Sequence, residues 1–193
     1  MSKQNKNLRS FVTIAMLSSI GFILMLFNFP LPWFPSFLQI DFSDVPALIA
    51  AITMGPIAGI VVEIMKNVLD WIFSGSPTGF PVGHLANFTT GLLFILPVYY
   101  VYKKFKSMTG LLVGLIVGTF VMSVGMAALN YVAFLPMYGY FMNFYVEDVI
   151  GTVVFGILPF NLLKGVMLIA IVTLLYRTMK TWIEQQQSIY LKS

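Results

Sequence analysis

The residues with the clearest chemical potential are Asn161 and Lys164, which lie three positions apart at the start of a long apolar run. A spacing of three places both side chains on one face of a helix. An ammonium group inside a bilayer is costly unless it meets a partner or a water-filled cavity, so an intramembrane lysine is a binding-site hypothesis by default. The pair therefore predicts a polar site that faces the interior of a membrane protein.

The composition agrees with a chain embedded in a lipid bilayer. Of 193 residues, 59% are hydrophobic and only 9% are charged, against roughly 25% charged residues in soluble domains. The length allows about six or seven membrane helices of roughly 20 residues, without room for a soluble domain of ordinary size. We predict an all-α integral membrane protein with a single domain over residues 1–193. The chain has no cysteine, which excludes disulfides, thiolate metal sites and a cysteine nucleophile.

The basic residues indicate how the chain is oriented in the membrane. They form three clusters beside the ends of apolar segments: Lys3, Lys6 and Arg9; Lys103, Lys104 and Lys106; Arg177 and Lys180. Cytoplasmic helix ends carry this excess of lysine and arginine. The net charge of +4 is thus explained without a nucleic-acid partner, and both termini are predicted to be cytoplasmic.

Counting helices requires a decision about the apolar stretch over residues 45–73. As one helix it would be roughly 43 Å long, which exceeds the bilayer core of about 30 Å. Met54-Gly55-Pro56 interrupts it, because proline disfavours helix in the residue before it. Two short, tightly joined helices also keep all three basic clusters on one side. The predicted helices are therefore about 10–28, 45–54, 57–73, 82–103, 108–134 and 159–182, with a further short helix over about 142–154. Gly110, Gly114 and Gly118 predict close helix packing.

Polar residues and aromatic rings gather at the predicted outer ends of these helices. The polar group comprises Gln39, Asp41, Asp44, Asn130, Glu147, Asp148, Asn161 and Lys164; the rings are Trp33, Phe34, Phe37, Phe42, Tyr131, Phe134, Tyr138, Tyr140, Phe144 and Tyr145. One interpretation is a pocket for a planar, partly polar small molecule. The other is an aromatic belt with ordinary helix caps, in which Asp44 is an N-cap and Asp41 a turn residue.

Signatures of catalysis are missing from the sequence. It contains no metal-binding histidine pair, no phosphate-binding glycine loop and no nucleophile elbow. The single histidine, His84, is predicted to be structural or interfacial. Glu63 and Lys66, at i, i+3, and Lys66 and Asp70, at i, i+4, are predicted to form structural ion pairs. No enzymatic activity and no metal site are predicted.

Three segments resemble one transporter family. They are Asp41-Phe-Ser-Asp-Val-Pro-Ala-Leu-Ile-Ala50, Met54-Gly-Pro56 and Asn161-Leu-Leu-Lys-Gly165. Together with the size and the six helices, they are similar to the riboflavin-specific S component of energy-coupling factor (ECF) transporters. The resemblance implies a subunit of the bacterial plasma membrane that captures riboflavin on the outer face. It further implies docking to a membrane T component and two ATPase subunits, which supply the energy for uptake.

The resemblance also implies which residues act. The ligand would lie between the first outer loop and the outer ends of helices four to six. The predicted contacts are Gln39, Asp41, Phe42, Asn87, Asn130, Tyr131, Glu147, Asp148, Asn161 and Lys164. The family often carries Ala-x-x-x-Ala on helix one for docking to the T component, and Ala15 and Ser19 take those positions here. Riboflavin is the transported ligand, and no cofactor is implied.

Two alternatives remain open from the sequence. One is that the same scaffold binds another vitamin, such as thiamin or biotin, although a cationic ligand requires more buried acid than the sequence allows us to place. A small channel is the other alternative. A channel requires polar residues along the whole span, whereas here they cluster at one end.

Overall fold

The computed structural model describes residues 3–76 and 80–191. As predicted, the fold is all-α, with six helices in the described part of the chain. They are α1 (Lys3–Leu26), α2 (Asp44–Met54), α3 (Pro56–Ser74), α4 (Val82–Phe105), α5 (Met108–Met142) and α6 (Val149–Tyr190). Four of these, α1, α4, α5 and α6, are long and apolar enough to cross a membrane. Residues 77–79, in the middle of the predicted loop between α3 and α4, lie outside the described residues.

Helices α2 and α3 form the predicted tight hairpin. Gly55 separates them with a φ of +102°, a backbone conformation that glycine adopts without steric cost. Pro56 then occupies the first turn of α3, where a missing N–H costs nothing. With 11 residues, α2 is only about 16 Å long, so it does not cross a bilayer.

Both C-terminal helices extend beyond their predicted limits. Helix α5 continues past residue 134 to Met142, and α6 begins at Val149 rather than at Pro159. The predicted separate helix over 142–154 is therefore wrong, since its later residues are the first turns of α6. Each helix contains a π turn, Asn130–Phe134 in α5 and Thr152–Ile157 in α6. A proline follows each turn two residues later, and the shifted hydrogen-bond register there allows the helix to continue despite the missing N–H.

The predicted glycine contact joins α4 to α5. A Cβ at Gly114 would lie 2.9 Å from the carbonyl oxygen of Val98, and one at Gly118 would lie 2.8 Å from that of Phe94. These distances are too short for any side chain at either position. The glycines therefore let the two helix backbones approach closely.

Helices α1, α3 and α5 end where α2, α4 and α6 begin, and we call this end of the bundle the outer end. The connection between α1 and α2 crosses it and contains a short antiparallel pair, β1 (Phe29–Pro30) with β2 (Gln39–Ile40). This pair was not predicted. Ring contacts hold the loop in place, with Phe34 5.5 Å from Phe160 and Phe37 5.7 Å from Tyr138 between ring centroids.

The opposite, inner end is held together by hydrogen bonds. Arg9 in α1 donates to Gln186 in α6 (3.4 Å), so the start of α1 and the end of α6 both lie at this end. The side chain of Gln187 donates to the carbonyl oxygen of Ile52 at the end of α2 (3.0 Å). The hydroxyl groups of Tyr102 and Tyr176 are 3.1 Å apart and join α4 to α6.

Candidate functional site

A cavity of about 210 Å³ lies at the outer end of the bundle. Its polar wall includes six of the ten predicted contact residues: Gln39, Asp41, Asn87, Asn130, Asn161 and Lys164. The first two come from the outer loop, and the others come from α4, α5 and α6. Phe37, Tyr138 and Phe160 contribute rings to the same wall. The fold thus joins polar groups that are more than 120 positions apart in sequence.

Four predicted contact residues do not line this cavity. Phe42 packs against the hydrophobic core, and Tyr131 is half exposed in a separate outer groove. Tyr131 follows Asn130 directly, and adjacent residues on a helix point in different directions. Glu147 and Asp148 are exposed, and Asp148 caps α6 by accepting from the backbone N–H of Gly151 (2.8 Å).

Some of the aromatic rings that were predicted to surround the ligand line the cavity, and others do not. Phe37 and Tyr138 line the cavity, whereas Trp33 is 97% exposed and Tyr140 81% exposed. Phe160 lines the cavity but was not among the predicted rings. Helical spacing could not indicate this, because Phe160 directly precedes Asn161 and adjacent helical residues rarely share a face.

A buried charge network supports the polar wall. The ammonium nitrogen Nζ of Lys164 lies 3.3 Å from Asp41 Oδ2 and 3.0 Å from Asp44 Oδ2. Lys66 Nζ lies 2.5 Å from Asp44 Oδ1 and 3.0 Å from Glu63 Oε2. All five side chains are at most 3% exposed. Asp44 is shared by two lysines, and it connects α2 to α3 and α6.

This network corrects two predictions and confirms a third. Asp44 does not act as an N-cap: it is the first residue of α2, and its carboxylate turns towards the two lysines, since a buried ammonium needs a counter-charge. The predicted pair of Lys66 with Asp70 is also wrong, because Asp70 contacts His84 instead. The predicted Glu63–Lys66 pair is confirmed.

Asp41 is both a turn residue and a residue of the cavity wall, and the sequence analysis considered each of these roles. Its Oδ1 accepts from the backbone N–H of Ser43 (2.9 Å) and from the Ser43 hydroxyl, as in an Asx turn. Its Oδ2 accepts from Asn87 Nδ2 (3.0 Å) and from Lys164. Asp41 therefore shapes the end of the loop and holds two cavity residues in position.

Asn130, the first residue of the π turn in α5, and Asn161, four residues after the π turn in α6, both line the cavity and have hydrogen-bonding groups left over. Asn130 Nδ2 donates to the carbonyl oxygen of Met126, and Asn161 Nδ2 donates to that of Ile157, each at 2.8 Å. Each amide retains a second N–H and a carbonyl oxygen. Together with Lys164 they present donors and acceptors suited to an imide-like edge.

The sequence analysis missed the pair formed by Asp70 and His84. His84 Nε2 lies 2.9 Å from Asp70 Oδ2, and both residues line the cavity. A signal for His84 was present, because Asn87 lies three positions further along the same helical face. Within residues 3–76 and 80–191, no three histidine, cysteine, aspartate or glutamate side chains are placed to hold a metal ion together.

The predicted docking residues lie away from the cavity. Ala15 and Ser19 are exposed on α1, in a shallow groove bordered by Phe11, Met16 and Ile20. The Ser19 hydroxyl donates to the carbonyl oxygen of Ala15 (3.0 Å), so it is satisfied within its own helix. The groove thus presents a small, weakly polar surface on the outside of the bundle.

Comparison with known proteins places the chain in a family. Residues 9–176 match the model of the ECF transporter, substrate-specific component. The chain is 49% identical to the riboflavin transporter FmnP of Bacillus subtilis over 186 residues, which cover 95% of this chain and 98% of that protein. It is 43% identical to the riboflavin transporter RibU of Staphylococcus aureus over 187 residues, which cover 95% of each.

A solved structure gives the same result for the fold. The chain superposes on the S component of a bacterial ECF transporter with a TM-score of 0.79 and 41% identity, covering 94% of this chain and 99% of the other. Members of this family are transport components rather than enzymes. The chain is a multi-pass membrane protein that belongs to the family of substrate-specific components of ECF transporters.

Proposed function

We propose that this chain binds riboflavin at the outer face of a bacterial plasma membrane, as the substrate-specific subunit of an ECF transporter. The observation that carries the proposal is the polar wall of the cavity, in which Asn130, Asn161 and Lys164 converge beside three aromatic rings. The relatives at 49% and 43% identity are riboflavin transporters, which supports the choice of ligand.

The chemistry of riboflavin fits this wall. Its isoalloxazine ring is planar with an imide-like edge, and its ribityl chain carries four hydroxyl groups. Phe37, Tyr138 and Phe160 would cover the ring faces, while the two asparagines hydrogen-bond the polar edge. Lys164 can only donate, so it would face a ligand oxygen. In this arrangement Asp41 and Asp44, within 3.3 Å of the ammonium, fix its position.

The cavity must enlarge or rearrange to hold the whole molecule. Its volume of about 210 Å³ is below the roughly 300–1,000 Å³ of small-molecule pockets. The outer loop forms part of the wall through Phe37, Leu38 and Gln39. We therefore propose that this loop moves outward to admit the ligand and closes over it afterwards.

Transport requires partners that this chain does not supply. We propose that it docks to a membrane T component and thereby to two ATPase subunits, as the family assignment implies. The exposed small residues Ala15 and Ser19 on α1 would allow close helix contact with the T component. On its own the chain binds its ligand and does not accumulate it.

A cationic vitamin such as thiamin fits the site less well. The structure contains more buried acid than the sequence suggested, namely Asp41, Asp44, Glu63 and Asp70. However, Asp41, Asp44 and Glu63 each lie within 3.3 Å of a lysine ammonium, and Asp70 contacts a histidine and a serine. Lys164 also brings a positive charge to the cavity wall, and this charge disfavours a cationic ligand.

The proposal is tested first by the absorbance of the purified protein, since bound flavin is yellow. Titration by quenching of flavin fluorescence then compares the parental protein with Lys164→Ala. Loss of a charge-assisted hydrogen bond is expected to weaken binding by about 1.5–3 kcal/mol. Lys180→Ala is the control, because Lys180 is 61% exposed at the inner end. A folded Lys164→Ala protein with unchanged affinity would assign this lysine to structure alone, and parental protein that binds no flavin would refute the function.

A further inference from the structure

The junction of α4 and α5 at the inner end carries three lysines within four positions, Lys103, Lys104 and Lys106. All three side chains are exposed. No aspartate or glutamate in residues 3–76 and 80–191 forms an ion pair with any of them. The α4–α5 turn, residues 103–107, therefore presents a concentrated positive charge that the described part of the chain does not neutralise.

The other basic residues described at the inner end are more dispersed. Arg9 donates to Gln186, and Lys180 lies 3.9 Å from Glu184. Arg177 is exposed three positions before Lys180. Orientation in the membrane requires only an excess of lysine and arginine at this end. It does not explain why three lysines are concentrated on one turn.

The α4–α5 turn is short and hydrogen-bonded. Only Lys106 and Ser107 separate the two helices. The backbone N–H of Lys106 donates to the carbonyl oxygen of Tyr102 (2.7 Å), and Ser107 Oγ accepts from the backbone N–H of Gly110 (3.0 Å). Gly110 also packs directly against Phe105, because a Cβ at Gly110 would lie 2.5 Å from the Cβ of Phe105. The lysines are thus held on a preorganised turn, which lowers the entropic cost of binding.

Lys106 occupies a position that usually belongs to glycine. Its φ is +44°, in the left-handed region, where a Cβ raises the conformational energy. Helices commonly end with glycine at this point. Strained residues of this kind cluster at functional sites, and what lysine adds to the turn is an exposed ammonium group on a flexible stem.

Aromatic rings lie between the lysines. The ammonium of Lys103 is 5.8 Å from the ring centroid of Tyr99, and that of Lys104 is 5.6 Å from the ring centroid of Phe105. Tyr100 and Phe105 are 59% and 57% exposed. Exposed rings at a helix end are typical of the interface between lipid and water, and lysine stems reach from there to the headgroups. An acidic protein surface would match the charge alone, whereas an anionic phospholipid matches the charge and the rings.

The turn lies apart from the groove that we propose for partner docking. Helix α1, which carries that groove, packs against α2 and α3, whereas α5 packs against α4 and α6. A partner that covers α1 therefore leaves the α4–α5 turn in contact with the bilayer.

We propose that the α4–α5 turn binds the headgroup of an anionic phospholipid in the inner leaflet. Lys103, Lys104 and Lys106 would contact the phosphate oxygens, and Tyr100 and Phe105 would lie beside the first carbons of the acyl chains. Each lysine close to a negatively charged membrane surface strengthens binding by roughly fivefold. The site does not depend on which vitamin is transported.

The test measures which lipids stay bound to the full-length protein. The protein is reconstituted in nanodiscs of equimolar phosphatidylcholine and phosphatidylglycerol, transferred to a mild detergent and analysed by native mass spectrometry, which counts the bound lipids of each kind. The turn variants are Lys104→Gln with Lys106→Gln, and Lys103→Gln with Lys104→Gln. The matched control is Arg177→Gln with Lys180→Gln, which removes the same charge from the same end. Monodisperse elution and circular dichroism establish that each variant is folded.

The parental protein is expected to retain phosphatidylglycerol in preference to phosphatidylcholine. This preference should fall about tenfold or more in each turn variant, because two lysines are lost. It should fall less than about threefold in the control, which lowers only the diffuse surface charge. The bound lipid should persist in excess inorganic phosphate at constant ionic strength, because free phosphate lacks the acyl chains that hold the headgroup at the membrane surface.

Three results would overturn the lipid site. The first is a parental protein that shows no preference for phosphatidylglycerol. The second is a loss of preference in the folded turn variants that is no larger than the loss in the control, because the attraction would then be spread over the whole inner surface. The third is displacement of the lipid by inorganic phosphate, which would assign the turn to a free anion.

Discussion

Replacement of Lys66 by methionine tests how much the buried charge network contributes to stability, separately from its contribution to the cavity. Lys66 does not line the cavity, and its ammonium lies 2.5 Å from Asp44 and 3.0 Å from Glu63. At an effective dielectric constant of about 20, these two contacts correspond to roughly 12 kcal/mol of attraction, most of which offsets the cost of removing the ions from water. Truncating one partner of a buried pair typically costs about 3–5 kcal/mol, because the other charge remains unpaired.

We therefore expect Lys66→Met to lower the free energy of unfolding by about 3–5 kcal/mol. The assay is unfolding in detergent micelles by a denaturing detergent, followed by circular dichroism. Lys180→Met is the matched control: Lys180 also faces a glutamate, Glu184, but at 3.9 Å and with both side chains more than half exposed. Exposed pairs contribute about 0–1 kcal/mol, so this variant should remain close to the parental protein.

A second variant tests the cause of the loss. In Lys66→Met, Asp44 keeps Lys164 as its partner, whereas Glu63 loses its lysine. Adding Glu63→Gln removes this unpaired carboxylate, so the double variant should recover part of the stability. If Lys66→Met proves as stable as Lys180→Met, or if the double variant is no more stable than the single one, pairing of buried charges by Lys66 does not stabilise the fold. Lys66→Met should affect flavin affinity less than Lys164→Ala does, because only Lys164 reaches the cavity.

Three further outcomes are expected. Tyrosine at Ala15 or Ser19 should leave flavin binding intact and abolish uptake in cells that contain the partner subunits, because a large side chain blocks close helix contact; uptake at the parental rate would contradict the docking role. Amide hydrogen exchange over residues 36–43 should be faster without riboflavin than with it, since the ligand holds the loop closed; equal exchange in both states would place the pocket elsewhere. Gly118→Val should destabilise the fold by more than about 2 kcal/mol in the same micelle assay, because the valine side chain would overlap the backbone of α4 at Phe94. A variant that unfolds like the parental protein would show that the two helices can separate at little cost.

The helices could be predicted from the sequence because their signals are local. The hairpin at Gly55 follows from a glycine and a proline in adjacent positions, and the counting of helices follows from length and the basic clusters. The extension of α6 to Val149 could not be predicted in the same way. Pro159 is a strong local stop signal, and the π turn before it removes its effect.

The site was only half predictable, for a physical reason. Polar residues in apolar segments mark where an interior site exists, so Asn161 and Lys164 were identified. Their partners are set by tertiary packing: Lys164 meets Asp41 across 123 positions. Asp44 was predicted to be a helix N-cap, and Lys66 was predicted to pair with Asp70. Both predictions considered only residues that are close in sequence. Both buried lysines contact Asp44 on another helix, and only the Glu63–Lys66 pair lies within one helix.

The two polar ends of the bundle are separated by a solid apolar middle. Along α6, Lys164 at the cavity and Tyr176 at the inner hydrogen bonds are 12 positions apart, or about 18 Å. Leu168 and Val172, which lie between them, are 0% and 5% exposed within the packed core. In this conformation the cavity is open only towards the outer end, and the packed core closes it towards the inner end. A solute held in the cavity reaches the inner end only if the whole subunit reorients or its helices separate.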